Sequence, residues 1–311
     1  MKVFYSDHFV LPLPEGHRFP MVKYSMLRER VARDGICGPG ELRTPRAVRD
    51  EEILRAHAPD YLERVVSGTL TEKEMRRIGF PWSEKMVERS RRASGGTLGA
   101  CLASLDEGFA ANLAGGTHHA FSDRGEGYCV LNDSAIAARA VQAAGLVERA
   151  IIIDTDVHQG NGTAAILRGD PTVFTFSVHG AKNFPFQKEV SDLDAPLPDG
   201  AGDTEFLAAL ERGLEMALDA ANASLAIYLA GADPFEGDRL GRLSVSKSGL
   251  AERDRIVLEA CRERGIPVAV TMAGGYASEV GDTVDVHFQS IRRAADLLER
   301  AADRPKDTHQ T

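Results

Sequence analysis

The chain has 311 residues, 43% of them hydrophobic and 27% charged, a composition typical of a globular protein with a large buried core. Its formal net charge is −9, so electrostatics would on average oppose binding to nucleic acid, and we expect no direct nucleic-acid partner. The N-terminus carries charges and prolines where a signal peptide has an apolar core, and no apolar run approaches the roughly 20 residues that span a bilayer. We therefore expect no membrane partner and a cytoplasmic location.

The first half of the chain is predicted to be mostly helical. Strands are predicted at each end of this half and amphipathic helices between them. The strands cover residues 2–5 and 110–113, and the helices cover residues 22–34, 50–66 and 83–106.

The second half alternates short β-rich runs with amphipathic helical stretches, a pattern typical of a mainly parallel sheet covered on both faces. The predicted strands are 150–154, 173–178, 225–230 and 267–272, and the predicted helices are 205–221, 249–264 and 286–302. Ser248 is the predicted N-cap of the second helix, and residues 304–311 are expected to form a frayed tail. Without a linker or an internal repeat, residues 1–311 are predicted to form a single α/β domain.

Four predicted strand ends carry unusually polar or glycine-rich sequences. In open parallel sheets, ligands bind beyond the carboxyl ends of the strands, so these are the first places to look for a site. The four segments read AGGTHHAF, IIIDTDVHQGNGT, YLAGADPFEGDRLGRL and VTMAGGYA.

The second segment is typical of a metal site. Asp154, Asp156 and His158 alternate, and in an extended segment residues two apart point the same way. Asp233, which ends an apolar strand, is the strongest candidate for a further ligand, because a lone buried carboxylate is costly. A zinc site made of Asp156, His158 and Asp233 would leave one position for water, as in catalytic sites. Two carboxylates would acidify that water less than histidines do, so a separate general base is needed.

His118 and His119 can supply this base, because imidazole titrates near neutrality. We expect Asp154 and Asn161 to pair with the two rings and fix their tautomers. Tyr276 follows two glycines and could donate a hydrogen bond to a developing oxyanion. Taken alone, the histidines could instead belong to a surface loop or bind metal by accident, and a tyrosine after a strand is more often a packing residue. Their combination with the other strand ends favours a catalytic site.

An ordered set of motifs resembles the histone deacetylase family of the arginase-like fold, and specifically its bacterial and class IV members. The motifs cover most of the chain and read HRFPMVKY, AHAPDYL, GGTHHA, GYCVLND, DTDVHQGNGT, FSVHG, GADPFEGDRLGRL and GGY. The resemblance implies a three-layer α/β/α architecture.

The resemblance also implies a role for each site residue. Zinc ligands fall on Asp156, His158 and Asp233. His119 becomes the principal general base and acid, while His118 supports the transition state and Tyr276 polarises the substrate carbonyl. The substrate tunnel is implied to be lined by Gly127, Tyr128, Phe184, Leu240, Gly274 and Gly275. A structural potassium ion is implied near Asp154, Asp156, His158, Ser177 and Val178.

Four positions depart from the family pattern. Gln159 stands where many members carry histidine, and Asn161 stands where class I members carry aspartate. Tyr128 replaces a phenylalanine and adds a hydroxyl to the tunnel wall. The acidic rim residue that holds a peptide backbone in several relatives has no clear counterpart in residues 78–83, although Glu84 is nearby.

The resulting hypothesis is zinc-dependent hydrolysis of an N-acyl amide, with acyl-lysine as the leading substrate and ferrous iron as the alternative metal. The other readings are a deacetylase of acetylpolyamine or another small amide, an acyl-lysine binding module without turnover, and a binuclear ureohydrolase of the same fold.

Overall fold

Parallel strands form one central sheet in the computed structural model, which describes residues 1–302. In this part of the chain the strands are β1 (Val3–Phe4), β2 (Leu42–Arg43), β3 (Phe109–Asn112), β4 (Ala150–Asp154), β5 (Val173–Gly180), β6 (Leu193–Leu197), β7 (Leu225–Leu229) and β8 (Val268–Thr271). Their spatial order is β2-β1-β3-β8-β7-β4-β5-β6, and every neighbouring pair is parallel. The predicted α/β fold with a mainly parallel sheet is confirmed.

Helices cover both faces of this sheet. They are α1 (Val22–Arg33), α2 (Asp50–Ile53), α3 (Pro59–Ser67), α4 (Glu72–Ile78), α5 (Glu84–Glu107), α6 (Asp133–Ala143), α7 (Asn161–Leu167), α8 (Asp203–Ala221), α9 (Lys247–Glu263) and α10 (Val280–Ala302). Side chains alternate between the faces, so that along β4 Ile151 and Ile153 enter one hydrophobic core and Ile152 enters the other. The first core lies under α1, α8, α9 and α10, and the second under α3, α5 and α6. The three-layer arrangement follows from this alternation.

The six predicted strands are present within one or two residues of their predicted bounds, whereas β2 and β6 were not predicted. The single helix predicted over residues 50–66 is wrong, because the chain forms α2 and α3 with a break between them. Pro59 begins α3, and Ala58 before it is extended, as the residue preceding a proline prefers. Helices α4, α6 and α7 were also not predicted.

Two helix starts differ from their predictions. The N-cap of α9 is Ser246, whose hydroxyl accepts a hydrogen bond from the Gly249 N–H at 3.0 Å, so the prediction of Ser248 is wrong. Helix α10 begins at Val280, six residues before its predicted start. The predicted tail at 304–311 lies outside the described residues. Of the helices described, none combines the length and apolar character needed to cross a bilayer.

Candidate active site

The four polar strand ends meet at one edge of the sheet, because β3, β8, β7 and β4 are consecutive neighbours. Strands β3 and β4 follow each other in the chain but are separated by β8 and β7, so their connections diverge and leave a crevice beyond the strand ends. His118 and His119 follow β3, Tyr276 follows β8, Asp233 follows β7, and Asp156 follows β4. Segments far apart in sequence thus supply one site.

Asp156, His158 and Asp233 bring three potential metal ligands together, with one ligand atom from each lying within 4.8 Å of the others. His158 Nδ1 is 2.9 Å from Asp156 Oδ1 and 3.1 Å from Asp233 Oδ2. Ligands of a tetrahedral zinc ion lie about 3.4 Å from one another, since zinc–ligand distances are about 2.0–2.2 Å. The donor types and their spacing therefore fit a zinc ion.

Backbone N–H groups orient both carboxylates of this trio. Val157 donates to Asp233 Oδ1 at 2.9 Å, and Gly274 donates to Asp156 Oδ2 at 2.7 Å. A Cβ on Gly274 would collide with the Asp233 carboxylate and lie 2.6 Å from Asp156 Oδ2. Only glycine allows the backbone to approach the two acids this closely.

Burial and mutual repulsion make this cluster a favourable place for a cation. Burial raises the pKa of Asp233 to about 7, and the neighbouring Asp156 carboxylate adds to the effect. Burial opposes protonation of His158, but Asp233 and Asp156 outweigh it and raise the pKa of that imidazole to about 10. The carboxylates thus favour positive charge at the point where a metal ion would bind.

The tandem histidines have different partners. His118 Nδ1 is 2.7 Å from Asp154 Oδ2, and His119 Nδ1 is 2.7 Å from Asn161 Oδ1. Burial opposes the charged form of His118, but Asp154 and Asp156 raise its pKa to about 9. Burial, followed by His118 and His158, lowers the pKa of His119 well below its usual value. The neighbouring carboxylates thus favour the charged form of His118, whereas burial and the adjacent imidazoles favour the neutral form of His119.

The neutral side chain of Asn161 fixes the tautomer of His119. Asn161 Nδ2 donates to Glu126 Oε1 at 2.9 Å, which directs Asn161 Oδ1 at the ring. His119 Nδ1 then carries the proton and donates to this oxygen, leaving Nε2 as the basic atom.

Tyr276 is held by its backbone on one side of the site. Its N–H donates to Asp238 Oδ2 at 2.5 Å, and its carbonyl accepts from Arg239 Nε at 3.0 Å. The side chain is 9% exposed, and burial raises the pKa of its hydroxyl well above the usual value. Tyr276 is therefore protonated at neutral pH and able to donate a hydrogen bond.

A cavity of about 540 Å³ leads to these groups. It contacts the metal-ligand trio, both histidines, Tyr276 and five of the six residues implied as tunnel walls: Gly127, Tyr128, Phe184, Leu240 and Gly274. Phe184 packs edge-on against His119 with ring centroids 4.9 Å apart. Gly127 has a φ of 55°, and a Cβ there would lie 2.6 Å from His119 Cδ2.

Gly275 does not line the cavity, contrary to its implied role as a tunnel wall. Its carbonyl instead accepts a hydrogen bond from Lys23 Nζ at 3.2 Å. The acid Glu84, at the start of α5, is also absent from the lining.

The residues implied for potassium lie on neighbouring strands, with Asp154 of β4 in register with Ser177 of β5. Asp154, Asp156, His158, Ser177 and Val178 are all buried. Gln159 points elsewhere: its Nε2 donates to Asp194 Oδ1 at 2.9 Å and to the Glu189 carbonyl at 2.7 Å. It anchors the segment after β5 and takes no part in the cavity.

Several site residues were not identified from the sequence. Asp238 accepts from the backbone of Tyr276, Leu240 and Gly241, and Glu126 orients Asn161. The HRFPMVKY motif, which contains Phe19, Lys23 and Tyr24, entered the sequence analysis only through its resemblance to the family.

The cavity is also lined by cationic residues that were not identified from the sequence, namely Arg76, Arg77, Lys182, Arg239 and Arg242. Exposed arginines and lysines give no periodic or spacing signal that would have indicated a site.

Comparisons with known proteins identify the family of this chain. Residues 17–291 match the model of the histone deacetylase domain. A protein of Picosynechococcus sp. is 46% identical over 95% of this chain and 98% of its own length. Histone deacetylase 2 of Arabidopsis thaliana is 28% identical over 94% of this chain and 79% of its own length. The crystal structure of a histone deacetylase homologue from Aquifex aeolicus has a TM-score of 0.80 at 24% identity, covers 95% of this chain and 84% of that chain, and shows the same fold. The chain belongs to the histone deacetylase family, and it is a hydrolytic enzyme acting on acyl amides.

Proposed function

We propose that this enzyme hydrolyses the amide of an acyl-lysine with the aid of one zinc ion held by Asp156, His158 and Asp233, ferrous iron being the alternative metal. The observation that carries this proposal is the convergence of the ligand trio, the two histidines and Tyr276 on one cavity. We further propose a structural potassium ion near Asp154, Asp156, His158, Ser177 and Val178, and a single catalytic domain over residues 1–311.

Each catalytic residue has a defined task in this proposal. When bound, the metal ion acts as a Lewis acid toward the acyl carbonyl and acidifies water. His119 Nε2 takes a proton from the attacking water and returns it to the departing amine. His118, held as a cation by Asp154, and the hydroxyl of Tyr276 stabilise the negative charge that develops on the carbonyl oxygen.

One metal ion is favoured over a binuclear centre by the surroundings of Asp233. Among the described residues, Asp156, His158 and Asp233 are the single group of three metal-ligating side chains. The nearby Asp238 carboxylate already accepts hydrogen bonds from three backbone N–H groups. It is therefore occupied as a backbone anchor and is not available as a bridging ligand.

The proposal predicts metal-dependent turnover of lysine amides that requires the Tyr276 hydroxyl. Purified protein would be assayed on amides from acetyl to long acyl chains, before chelation, after chelation and after zinc restoration. We expect turnover to vanish and then return. Tyr276→Phe should lower kcat by about two to three orders of magnitude, the usual effect of removing one oxyanion donor.

The matched control is Tyr5→Phe, which removes a hydroxyl from a half-buried tyrosine outside the cavity. It should keep full activity. Near-normal turnover by Tyr276→Phe, or turnover that survives chelation, would contradict the assigned roles. Tight binding of the amides by the zinc-loaded protein without any turnover would instead favour a binding module.

A further inference from the structure

The mouth of the active-site cavity is strongly basic, although the protein as a whole has a net charge of −9. Five exposed cationic side chains line it: Arg76, Arg77, Lys182, Arg239 and Arg242. The acidic lining residues in the described part of the chain are Asp156 and Asp233, which are buried at the predicted metal site. The charge on the rim is therefore opposite in sign to that of the molecule.

Neighbouring acids neutralise this charge only in part. Three of the five cations lie within 4.0 Å of a carboxylate: Arg76 with Glu72, Arg77 with Glu126, and Arg242 with Asp199. Within residues 1–302, Lys182 and Arg239 have no carboxylate within that distance. The pairs of Arg76 and Arg242 are exposed, and such pairs are weak and exchange readily with a charged ligand.

The cations come from three separate segments that line the cavity. Arg76 and Arg77 lie in the last turn of α4, Lys182 follows β5, and Arg239 and Arg242 follow β7. Lys182 is two residues from Phe184, which packs against His119. In an acyl-lysine, four methylenes separate the amide nitrogen from the α-carbon, roughly 6 Å when extended. Groups attached to that carbon, or close to it in a peptide, would extend along the cavity that these cations line.

We propose that the substrate of this site carries a negative charge next to its acylated lysine, supplied by acidic neighbours in a peptide or by the lysine's own α-carboxylate. This inference rests on the proposed amide hydrolysis and narrows its substrate class. The same field repels acylated polyamines, whose remaining amines are cationic. Because the rim lies away from the reacting atoms, it attracts substrate and transition state equally, so the effect falls on KM and not on kcat.

The test compares three acetyl-lysine peptides that differ only in flanking residues, which are acidic, neutral or basic. At low ionic strength we expect kcat/KM to be about tenfold higher for the acidic than for the basic peptide, through KM. At about 0.5 M salt the difference should largely disappear, because screening shortens the Debye length to about 4 Å. Equal kcat/KM values for the three peptides at low salt would overturn the proposal.

Charge reversal at two of the five cationic positions should largely remove this preference. We choose Arg76→Glu combined with Lys182→Glu, and leave Arg239 unchanged because it also holds the carbonyl of Tyr276. The control is Arg33→Glu at the end of α1, a side chain that is 75% exposed and lies outside the cavity lining. It changes the net charge equally per site and should retain the preference for the acidic peptide. A preference that persists in the rim variant would count against these residues as its source.

Two further measurements are needed. The first distinguishes the two sources of the substrate's negative charge, and the second tests the charge preference independently of the proposed amide hydrolysis. A single acetyl-lysine with a blocked α-amine is compared as its free carboxylate and as its carboxamide. A faster carboxylate points to a small acid, and a preference confined to peptides points to acidic flanks. Binding of labelled peptides to Tyr276→Phe is measured by fluorescence anisotropy. If no amide is hydrolysed, the proposed function fails, yet the charge preference is still decided by these dissociation constants.

Discussion

At the scale of single residues, Gly274 illustrates how closely the backbone approaches the predicted metal ligands. Its N–H donates to Asp156 Oδ2, and a Cβ at this position would strike the Asp233 carboxylate. Even a methyl group at this position must therefore displace at least one of the two acids, although an alanine adds no charge and removes no hydrogen-bond donor.

Gly274→Ala should lose its metal while remaining folded. We expect the zinc content, measured by elemental analysis after dialysis, to fall from about one ion per chain to a small fraction, with activity falling in parallel. Gly281→Ala is the control, because a Cβ there meets nothing within 4 Å and the residue lies in the first turn of α10. Full zinc occupancy in Gly274→Ala would contradict ligation by Asp233 and Asp156.

The position of the site could be predicted from single residues because its acids and histidines follow apolar strands. Asp156 and Asp233 follow hydrophobic runs, His118 follows β3 after two glycines and a threonine, and parallel strands bring their carboxyl ends together. Asp238 and Glu126 could not be found in this way. Each acts through hydrogen bonds to a neighbouring segment, and such contacts leave no pattern in a loop sequence.

At the scale of secondary-structure elements, α1 supports the segment that carries Tyr276. Lys23 is 2% exposed, and its Nζ donates to the Gly275 carbonyl at 3.2 Å. The ammonium lies 5.1 Å from the ring centroid of Tyr276 and 5.3 Å from that of Tyr24. No carboxylate in the described residues forms an ion pair with it, so aromatic faces and one carbonyl stabilise the charge.

Lys23→Met should impair catalysis by loosening this segment. Loss of the donor leaves the Gly275 carbonyl unpaired, and we expect kcat to fall about tenfold with KM and zinc content nearly unchanged. Lys85→Met, at an exposed lysine of α5, controls for the loss of one positive charge. An unchanged kcat in Lys23→Met would show that α1 does not position Tyr276.

Apart from α6, which has 11 residues, the elements that the sequence did not predict are short or lie at the edge of the sheet. Strand β2 has two residues, and β6 reads LDAPL, with an aspartate and a proline that only an edge strand tolerates well. Helix α4 has a local signal, since Thr71 and Glu74 form a capping box, but seven residues are too few for a clear period. Fully buried strands such as β4 and β7 were predictable because both their faces are covered and their residues form continuous hydrophobic runs.

At the scale of the whole molecule, His57 connects the junction of α2 and α3 to the start of α6. The side chain is 2% exposed, and its Nε2 accepts a hydrogen bond from the N–H of Asn132, the N-cap of α6, at 2.9 Å. Burial lowers the pKa of His57 to about 4. A proton on Nε2 would oppose the Asn132 N–H, so the folded protein keeps this ring neutral.

This neutral histidine predicts that stability falls on acidification. In the unfolded chain the pKa of histidine is about 6.5, so between pH 6.5 and about 4 the unfolded state binds a proton that the folded state excludes. The contribution of His57 is fully present above pH 6.5 and is lost as the pH falls. The loss in the free energy of unfolding should reach roughly 2 kcal/mol at pH 5.0.

The measurement is urea unfolding at pH 7.5 and pH 5.0 for the wild type and for His57→Gln. The glutamine variant should be less stable at pH 7.5, because the hydrogen bond to Asn132 is weakened, but it should lose roughly 2 kcal/mol less than the wild type on acidification. His8→Gln, at an exposed position, serves as the control for removing one histidine. The difference between the two proteins cancels the effects of the other buried histidines. If the free energy of unfolding of wild type and of His57→Gln depends on pH in the same way, folding does not require a neutral His57.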